Sequence, residues 1–201
     1  MASWYTTLKV KHNVFKQGVH YMTSPFGIRS INGRKAMHNG VDVIGNGWAC
    51  DYIVAFADGM VIDVLNTCSG KTPATGNYVV IEHGNNVKSV YYHMAKGSVK
   101  VKAGQTVKAG DVLGYMGSTG DSTGNHLHFG IKINGEWVDP VPYLEGKKVL
   151  PVKKESSLEE DLKELAKAGI INTPDYWKNN AKKLTYVPEL IHNMAEYLRK
   201  T

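Results

Sequence analysis

The stretch GNYVVIEHGNNVKSVYYHM, residues 76–94, contains two short runs separated by a glycine-containing turn, and their apolar residues recur with a period of two or stand in short continuous pieces. Side chains on a β-strand point alternately to the two faces, so a period of two is typical of strands buried on one face. Similar short runs precede it, VDVI at 41–44, YIVAFA at 52–57 and MVIDVL at 60–65, and glycines separate many of them. The pattern predicts a mainly β domain with an antiparallel β-sheet or sandwich.

Two dipeptides in this region are typical of tight turns between strands. Asp58–Gly59 predicts a hairpin between the runs on either side of it, and Asn134–Gly135 predicts another before the domain closes near Leu144. The first hairpin would bring the two cysteines of the chain, Cys50 and Cys68, almost opposite each other. Two cysteines are too few for a disulfide scaffold, so we expect two free thiols, with a cross-strand disulfide as the alternative.

The composition changes after the β-rich part of the chain. Residues 147–156 are rich in lysine and show no strand alternation, which predicts a linker. The sequence is therefore divided into a β domain of residues 1–146, this linker, and a small C-terminal unit of residues 157–201.

The C-terminal unit has the spacing of helices. Leu158, Leu162 and Leu165 would share one helix face, and two further helices are expected to begin near Pro174 and Pro188. About 45 residues are few for an independent core. We therefore expect the three helices either to cap the β domain or to pack on a partner.

The charge and hydropathy of the chain restrict its partners. The 24 Lys and Arg residues exceed the 18 Asp and Glu residues by six, which favours anionic partners such as teichoic acids, phospholipid surfaces or nucleic acid. These basic residues are dispersed and form no nucleic-acid-binding motif, so nucleic acid is not expected. No stretch approaches the roughly 18 apolar residues of a membrane span, and the first residues lack the apolar run of a signal peptide. We therefore expect synthesis in the cytoplasm.

Histidine and aspartate recur in two short motifs. In GNHLHFG one apolar residue separates His126 from His128, so on a strand both imidazoles would project from one face. Such a pair can bind a metal, supply acid–base groups, or be ordinary surface polarity. In AMHNGVDVIG, His38 and Asp42 are four residues apart, and Asn-Gly followed by β-branched residues favours a turn into a strand over a helix.

These residues have the chemistry of a zinc site. Catalytic zinc takes three protein ligands from His, Cys and Asp or Glu, and a water completes the shell. His38, Asp42 and one histidine of the 126/128 pair would form such a set. A third motif, SVYYHM, places Tyr91 and His93 on the same strand face by alternation, although a histidine in this context is by itself more typical of a packed or exposed strand residue.

Together the segments HNGVD, VYYHM and GSTGDSTGNHLHFG, in this order, resemble the lysostaphin/LytM-type zinc metallopeptidases, which cut peptide bonds in bacterial peptidoglycan. The resemblance extends from TSPFGIRS near residue 23 to NGEWVDPVPYL, roughly the first two thirds of the chain. It implies that His38, Asp42 and His128 bind one Zn²⁺ and that His93 and His126 are the catalytic pair. The implied activity is zinc-dependent hydrolysis of a stem peptide or cross-bridge, with lysis of the wall.

Three further residues are candidates for contacts with the substrate. Asn77 and Arg29 lie in contexts similar to the family's, and either line the groove or support turn and strand packing; Tyr91 is the third candidate. The family usually has Ala or Ser where this chain has Tyr92, which changes the expected shape of the cleft.

Other interpretations explain less of the sequence. A non-catalytic peptidoglycan-binding or activator protein would not need all five histidine and aspartate residues. The units VKAGQ and VKAGD resemble lipoyl and biotinyl carrier hairpins, but no modifiable lysine in the required context is found and the histidines stay unexplained. The C-terminal segment is similar to accessory segments of phage and clostridial lysins, which implies cell-wall binding, self-association or a structural cap. A substrate in the wall and a sequence without a signal-peptide pattern together favour a phage endolysin released through a holin, or a lytic or structural part of a phage tail. A bacterial enzyme without a signal peptide is the alternative.

Overall fold

The computed structural model of the protein describes residues 6–8, 12–16, 20–31, 33–45, 51–152, 158–180 and 187–199. The chain divides into two compact units, Met1–Val152 and Lys153–Thr201. The boundary between them falls within the segment expected to be a linker.

The first unit is mainly antiparallel β structure, as the alternation of its sequence predicted. Within the described residues its strands are β1 (Thr6–Leu8), β2 (His20–Ser24), β3 (Gly27–Ile31), β4 (Arg34–His38), β5 (Val41–Ile44), β6 (Tyr52–Val54), β7 (Gly59–Leu65), β8 (Asn77–Glu82), β9 (Val87–Met94), β10 (Thr106–Val107), β11 (Val112–Tyr115), β12 (Leu127–Ile133) and β13 (Glu136–Val138). A short helix, α1 (Val141–Leu144), follows the last strand.

A nine-stranded sheet organises this unit. Its order is β1-β2-β5-β12-β9-β8-β7-β10, with β13 paired to β12. Strands β3 and β4 form a separate two-stranded sheet, and β6 and β11 form another. On β8 the side chains of Val79 and Ile81 are fully buried, whereas Tyr78, Val80 and Glu82 are half-buried on the opposite face. One face of the large sheet therefore covers the hydrophobic core, and the other is available for a site.

The two predicted hairpins have different outcomes. Asn134–Gly135 connects β12 to β13 as a two-residue turn, with Ile133 opposite Glu136, which confirms that prediction. The hairpin at Asp58–Gly59 is wrong, because β6 pairs with β11 and β7 pairs with β8 and β10. A Cβ at position 59 would lie 2.4 Å from the Glu82 carbonyl oxygen, so this glycine permits close approach of β8 instead.

The cysteine pairing that rested on this hairpin loses its structural basis. Cys68 is buried, and its thiol donates to the carbonyl oxygen of Thr72 at 3.3 Å. Cys50 lies outside the described residues.

The second unit contains three described helices, α2 (Leu158–Lys167), α3 (Pro174–Asn180) and α4 (Val187–Leu198). Leu162 and Leu165 of α2 are buried against Ile191 and Ala195 of α4, in agreement with the predicted apolar face of α2. No described helix is both long and apolar enough to cross a membrane.

Candidate metal and catalytic site

The motif HNGVD folds as a strand, a turn and a second strand. His38 is the last residue of β4, and Asp42 is the second residue of β5. Strand β12 pairs with β5 so that His128 lies opposite Asp42. His128, which is 86 residues from Asp42 in sequence, thus lies beside His38 and Asp42. Backbone pairing brings all three side chains to one end of the central sheet.

Three ligand atoms converge at this point. His38 Nε2 lies 2.9 Å from Asp42 Oδ1 and 3.0 Å from His128 Nδ1, and His128 Nδ1 lies 3.0 Å from the same Oδ1. All three residues are buried. Ligands of a tetrahedral zinc ion are about 3.3 Å apart when its bonds to nitrogen and oxygen are about 2.0–2.1 Å. The set therefore fits zinc in both donor type and spacing.

A hydrogen bond to the backbone determines which ring nitrogen of His38 carries the proton. Nδ1 lies 2.7 Å from the carbonyl oxygen of Pro25, and because a carbonyl only accepts, Nδ1 carries the hydrogen. Nε2 of the neutral ring consequently directs a lone pair toward Asp42 and His128. Lone pairs of two ring nitrogens and a carboxylate repel one another at this distance unless a proton or a cation lies between them. Such a group of converging lone pairs is typical of a metal site.

Asp42 is held as a carboxylate at both oxygens. Burial by itself would raise its pKa, but the close contacts with His128 and His38 and the nearby His126 outweigh burial, so the pKa lies well below its usual value. Arg29 Nη1 donates to Oδ2 at 3.0 Å, and the same atom donates to Ser24 Oγ at 2.8 Å. Arg29, expected as a groove residue, is thus found in contact with the candidate ligand.

His128 is confined on two sides. A Cβ at Gly40 would lie 2.6 Å from His128 Nε2 and 2.6 Å from the Phe129 carbonyl oxygen, so glycine leaves the room that the ring occupies. On the neighbouring strand Tyr92 stacks on the imidazole, with 8° between the ring planes and 5.4 Å between their centroids. Burial lowers the pKa of His128, which favours the neutral imidazole that a metal requires.

The two other histidines form a pair beside the three ligands. The ring centroids of His93 and His126 are 4.7 Å apart, and His126 Nε2 lies 3.7 Å from Asp42 Oδ1. His93 Nδ1 donates to the Thr119 carbonyl oxygen at 2.8 Å, and His126 Nδ1 donates to that of Gly124 at 2.8 Å. Each neutral ring is therefore left with Nε2 as an acceptor.

An irregularity in β9 directs His93 toward the site. His93 has a positive φ of 63°, and two steps along β8 correspond to three along β9, from Tyr91 to Met94. Positive φ is uncommon for a residue with a side chain and is concentrated at functional positions. Burial lowers the pKa of His93 to about 4, so the ring is neutral at pH 7.

This irregularity overturns the expectation that Tyr91 shares a face with His93. Tyr91 is fully buried in the core, and its hydroxyl accepts a hydrogen bond from the Phe56 backbone N–H at 2.8 Å. It cannot contact a substrate. Tyr92 faces the site instead.

Asn77 is likewise a structural residue. It is fully buried; its Oδ1 accepts from the Cys68 N–H at 2.8 Å, and its Nδ2 donates to the carbonyls of Cys68 and Met94. The expectation that it contacts substrate is therefore wrong, and the alternative, a role in turn packing, describes its contacts. Its backbone N–H donates to Thr119 Oγ1 at 2.9 Å, so it supports the loop that orients His93.

The match to known proteins agrees with this geometry. Residues 36–140 match the family model described as Peptidase family M23, and this span contains all five histidine and aspartate residues of the site. The chain belongs to peptidase family M23. Over 137 residues, 68% of this chain, it is 37% identical to a Vibrio cholerae protein named peptidoglycan DD-endopeptidase ShyB. Over 117 residues, 58% of this chain, it is 35% identical to a Salmonella dublin protein named murein hydrolase activator NlpD.

The structural comparison covers a similar part of the M23 chain. The catalytic domain of lysostaphin from Staphylococcus simulans is 30% identical and matches with a TM-score of 0.50, over 67% of this chain and 98% of that domain. The chain spans 29% of the length of each of the two sequence relatives. The similarity therefore concerns the M23 domain and its metallopeptidase fold.

The groups that orient the M23 histidines could not be identified from the amino-acid sequence. The carbonyl oxygens of Pro25, Thr119 and Gly124 fix three of the imidazoles. A backbone carbonyl has no signature in a sequence, because every residue has one. The positive φ of His93 gives no sequence signal either. For Arg29, the FGIR context drew attention to the residue but did not reveal its contact with Asp42.

Proposed function

We propose that this M23 chain is a zinc-dependent endopeptidase that hydrolyses peptide bonds in bacterial peptidoglycan. The observation that supports this most strongly is the convergence of His38, Asp42 and His128 beside the adjacent rings of His93 and His126. An activator without catalysis would not require this second pair of histidines.

The three converging residues would hold the metal. Zinc in such a site would supply Lewis acidity and lower the pKa of its bound water to about 7. Arg29 neutralises part of the charge of Asp42 and fixes the rotation of its carboxylate. Gly40 and Tyr92 confine the His128 ring, so Nδ1 stays directed at the other two ligands.

His93 and His126 would manage the proton of hydrolysis. Because Nδ1–H of each ring is held by a carbonyl, the proton of the attacking water can be accepted only at Nε2. A ring that has accepted it becomes a donor at that atom, where it can stabilise a developing oxyanion or pass the proton to the leaving amine. Both histidines thus keep Nε2 for these two steps.

The source and the site of action are further parts of this proposal. We propose a phage-encoded lysin, acting on the wall after holin release or from a phage particle; the support is the likeness of the C-terminal segment to lysin accessory segments. Anionic wall polymers remain proposed partners on the basis of the net charge of +6.

Mass spectrometry of purified wall fragments tests the proposal. The zinc-loaded protein is incubated with peptidoglycan from several wall types, with and without a chelator, and new amine termini are identified. We expect chelator-sensitive release of cleaved peptides from at least one wall type, restored by added zinc. Release that is insensitive to the chelator, or no new amine termini while another hydrolase is stimulated, would favour the activator function.

A further inference from the structure

Four neighbouring strands carry a continuous row of side chains on the face of the central sheet that holds the candidate ligands. The row starts at His128 on β12 and continues through Tyr92 on β9 and Tyr78 on β8 to Asp63 on β7. The rings of Tyr92 and Tyr78 meet edge to face, with centroids 6.0 Å apart and 72° between the planes. The hydroxyl of Tyr78 donates to Asp63 Oδ2 at 2.9 Å.

The row is accessible to solvent, and it contains polar groups that can still bind a ligand. Tyr92 and Tyr78 are half-buried, and Asp63 is exposed. Among the residues that the structure describes, the Tyr92 hydroxyl has no hydrogen-bond partner, and Asp63 has no cationic partner. Asp42, at the other end, is by contrast paired with Arg29. The row therefore leads from the candidate metal site over two aromatic rings to an uncompensated carboxylate.

This sequence of groups suits a primary ammonium group. Tyrosine rings attract cations through their electron-rich faces, and a carboxylate accepts charge-assisted hydrogen bonds from an ammonium. The hydrogen bond from Tyr78 fixes Oδ2 of Asp63 and leaves Oδ1 to accept from a ligand. A neutral donor could share only a hydrogen bond with Asp63, whereas an ammonium would add charge attraction to it, and an anion would be repelled.

The length of the row sets the position of that ammonium. Three strand spacings of about 4.8 Å separate β12 from β7, about 14 Å in all. An extended peptide covers this distance with about four residues. A chain that enters the site across the strands would thus bring a group about four residues from the scissile bond to Asp63.

We propose that Tyr92, Tyr78 and Asp63 form a substrate subsite for a peptide that carries a free primary ammonium about four residues from the bond to be cut. The inference rests on the proposed function, since it deepens the specificity of the same site. The ammonium can belong to the amino terminus of a bridge or to the side chain of a diamino acid.

Matched peptides test the subsite by binding and by cleavage. Two peptide series place the amine at the terminus or on a side chain, and each peptide is made with a free and an acetylated amine. Binding is measured by calorimetry with the zinc-loaded His126→Ala protein, with and without Asp63→Asn. Cleavage is measured with the wild type and with Asp63→Asn. Glu136→Gln, on β13 opposite Ile133, controls for the loss of one negative charge.

We expect acetylation to weaken binding to the Asp63-containing protein about threefold to fivefold in one series, which corresponds to about 0.6–1 kcal/mol for an exposed ion pair. In the Asp63→Asn background acetylation should have no effect, and Glu136→Gln should behave as the wild type. In the cleavage assay, acetylation of the peptide should raise the KM of the wild type by the same factor and leave kcat unchanged. The series that responds identifies which amine is bound.

Equal sensitivity to acetylation with and without Asp63 would overturn the subsite, whatever the protein cleaves. A wild type that binds the amine peptides selectively but cuts neither series, nor any wall, would overturn the proposed function while supporting the binding site. The two failures are therefore distinguishable.

Discussion

Arg29 holds Asp42 by the carboxylate oxygen that the histidines leave free. Its Nη1 lies 3.0 Å from Oδ2, whereas Oδ1 faces His38 and His128. The arginine side chain is 35% exposed and that of Asp42 is 11% exposed, so the pair lies at the rim of the candidate site. A planar guanidinium at this position restricts rotation of the carboxylate and offsets its charge.

Replacing Arg29 with methionine should weaken zinc binding about tenfold to a hundredfold, the usual effect of removing a residue that orients a metal ligand. The apolar side chain keeps much of the volume but cannot donate to Oδ2. Competition with a coloured zinc chelator measures the affinity. Lys35→Met is the control, because Lys35 is exposed on β4 of the same small sheet; equal affinity of both variants and the wild type would contradict the role of Arg29.

Thr119 should control the orientation of His93. Its carbonyl oxygen accepts from His93 Nδ1, while its hydroxyl donates to the Met94 carbonyl and accepts from the Asn77 N–H at 2.9 Å. Thr119→Val removes both hydroxyl hydrogen bonds without changing the side-chain volume much. We expect kcat to fall about tenfold, with KM and zinc content unchanged, because a displaced imidazole transfers protons poorly.

Thr119→Ser is the matched control, since serine keeps the hydroxyl and should retain most of the wild-type kcat. Steady-state kinetics on a soluble peptide and zinc analysis of the three proteins provide the comparison. If the valine and serine variants lose activity equally, the hydroxyl does not position His93.

A histidine far from the metal ligands should make stability depend on pH. His83 is buried; Nδ1 donates to the Asp58 carbonyl oxygen at 2.6 Å, and Nε2 lies 2.8 Å from Ser89 Oγ. Burial lowers its pKa below 6.5, the ordinary value. The unfolded chain then binds more protons than the folded one between these two pKa values, so the free energy of unfolding decreases as pH falls through that window.

Urea unfolding of the wild type and His83→Gln in the presence of a chelator measures this contribution. His93 and His128 are common to both proteins, so their titrations cancel in the difference. The stability advantage of the wild type should be constant above roughly pH 7.5 and shrink at lower pH, by at most about 1.4 kcal/mol per pH unit for one proton. An advantage that stays constant from neutral to acidic pH would contradict the assignment.

The parts of the fold that depend on local chemistry were predictable, and those that depend on distant packing were not. Asn134–Gly135 forms its hairpin because both residues accept positive φ and the strands are adjacent in sequence. Asp58–Gly59 has an equally good turn sequence, but the flanking strands pair with more distant segments. Alternation likewise misplaced Tyr91 relative to His93, because a bulge in β9 breaks the period of two.

The site shows the same division. The spacing of HNGVD and of HLH follows from strand geometry, since adjacent antiparallel strands place Asp42 opposite His128. Contacts through the backbone, such as His93 to Thr119, depend on where a loop returns in space. The burial of Asn77 and Tyr91 depends on the same tertiary packing, so the groove role predicted for Tyr91 is wrong and Asn77 has the packing role that was its alternative.

Zinc content and peptide cleavage, measured in parallel for His128→Ala and His126→Ala, distinguish a metal ligand from a proton-transfer residue. His128→Ala should lose both zinc and activity, because a ligand is removed. His126→Ala should retain about one zinc per chain while cleavage falls by about 10²–10⁴, the usual contribution of a general acid or base. Equal loss of zinc in both variants, or cleavage by His126→Ala at the wild-type rate, would contradict the division into ligands and proton-transfer residues.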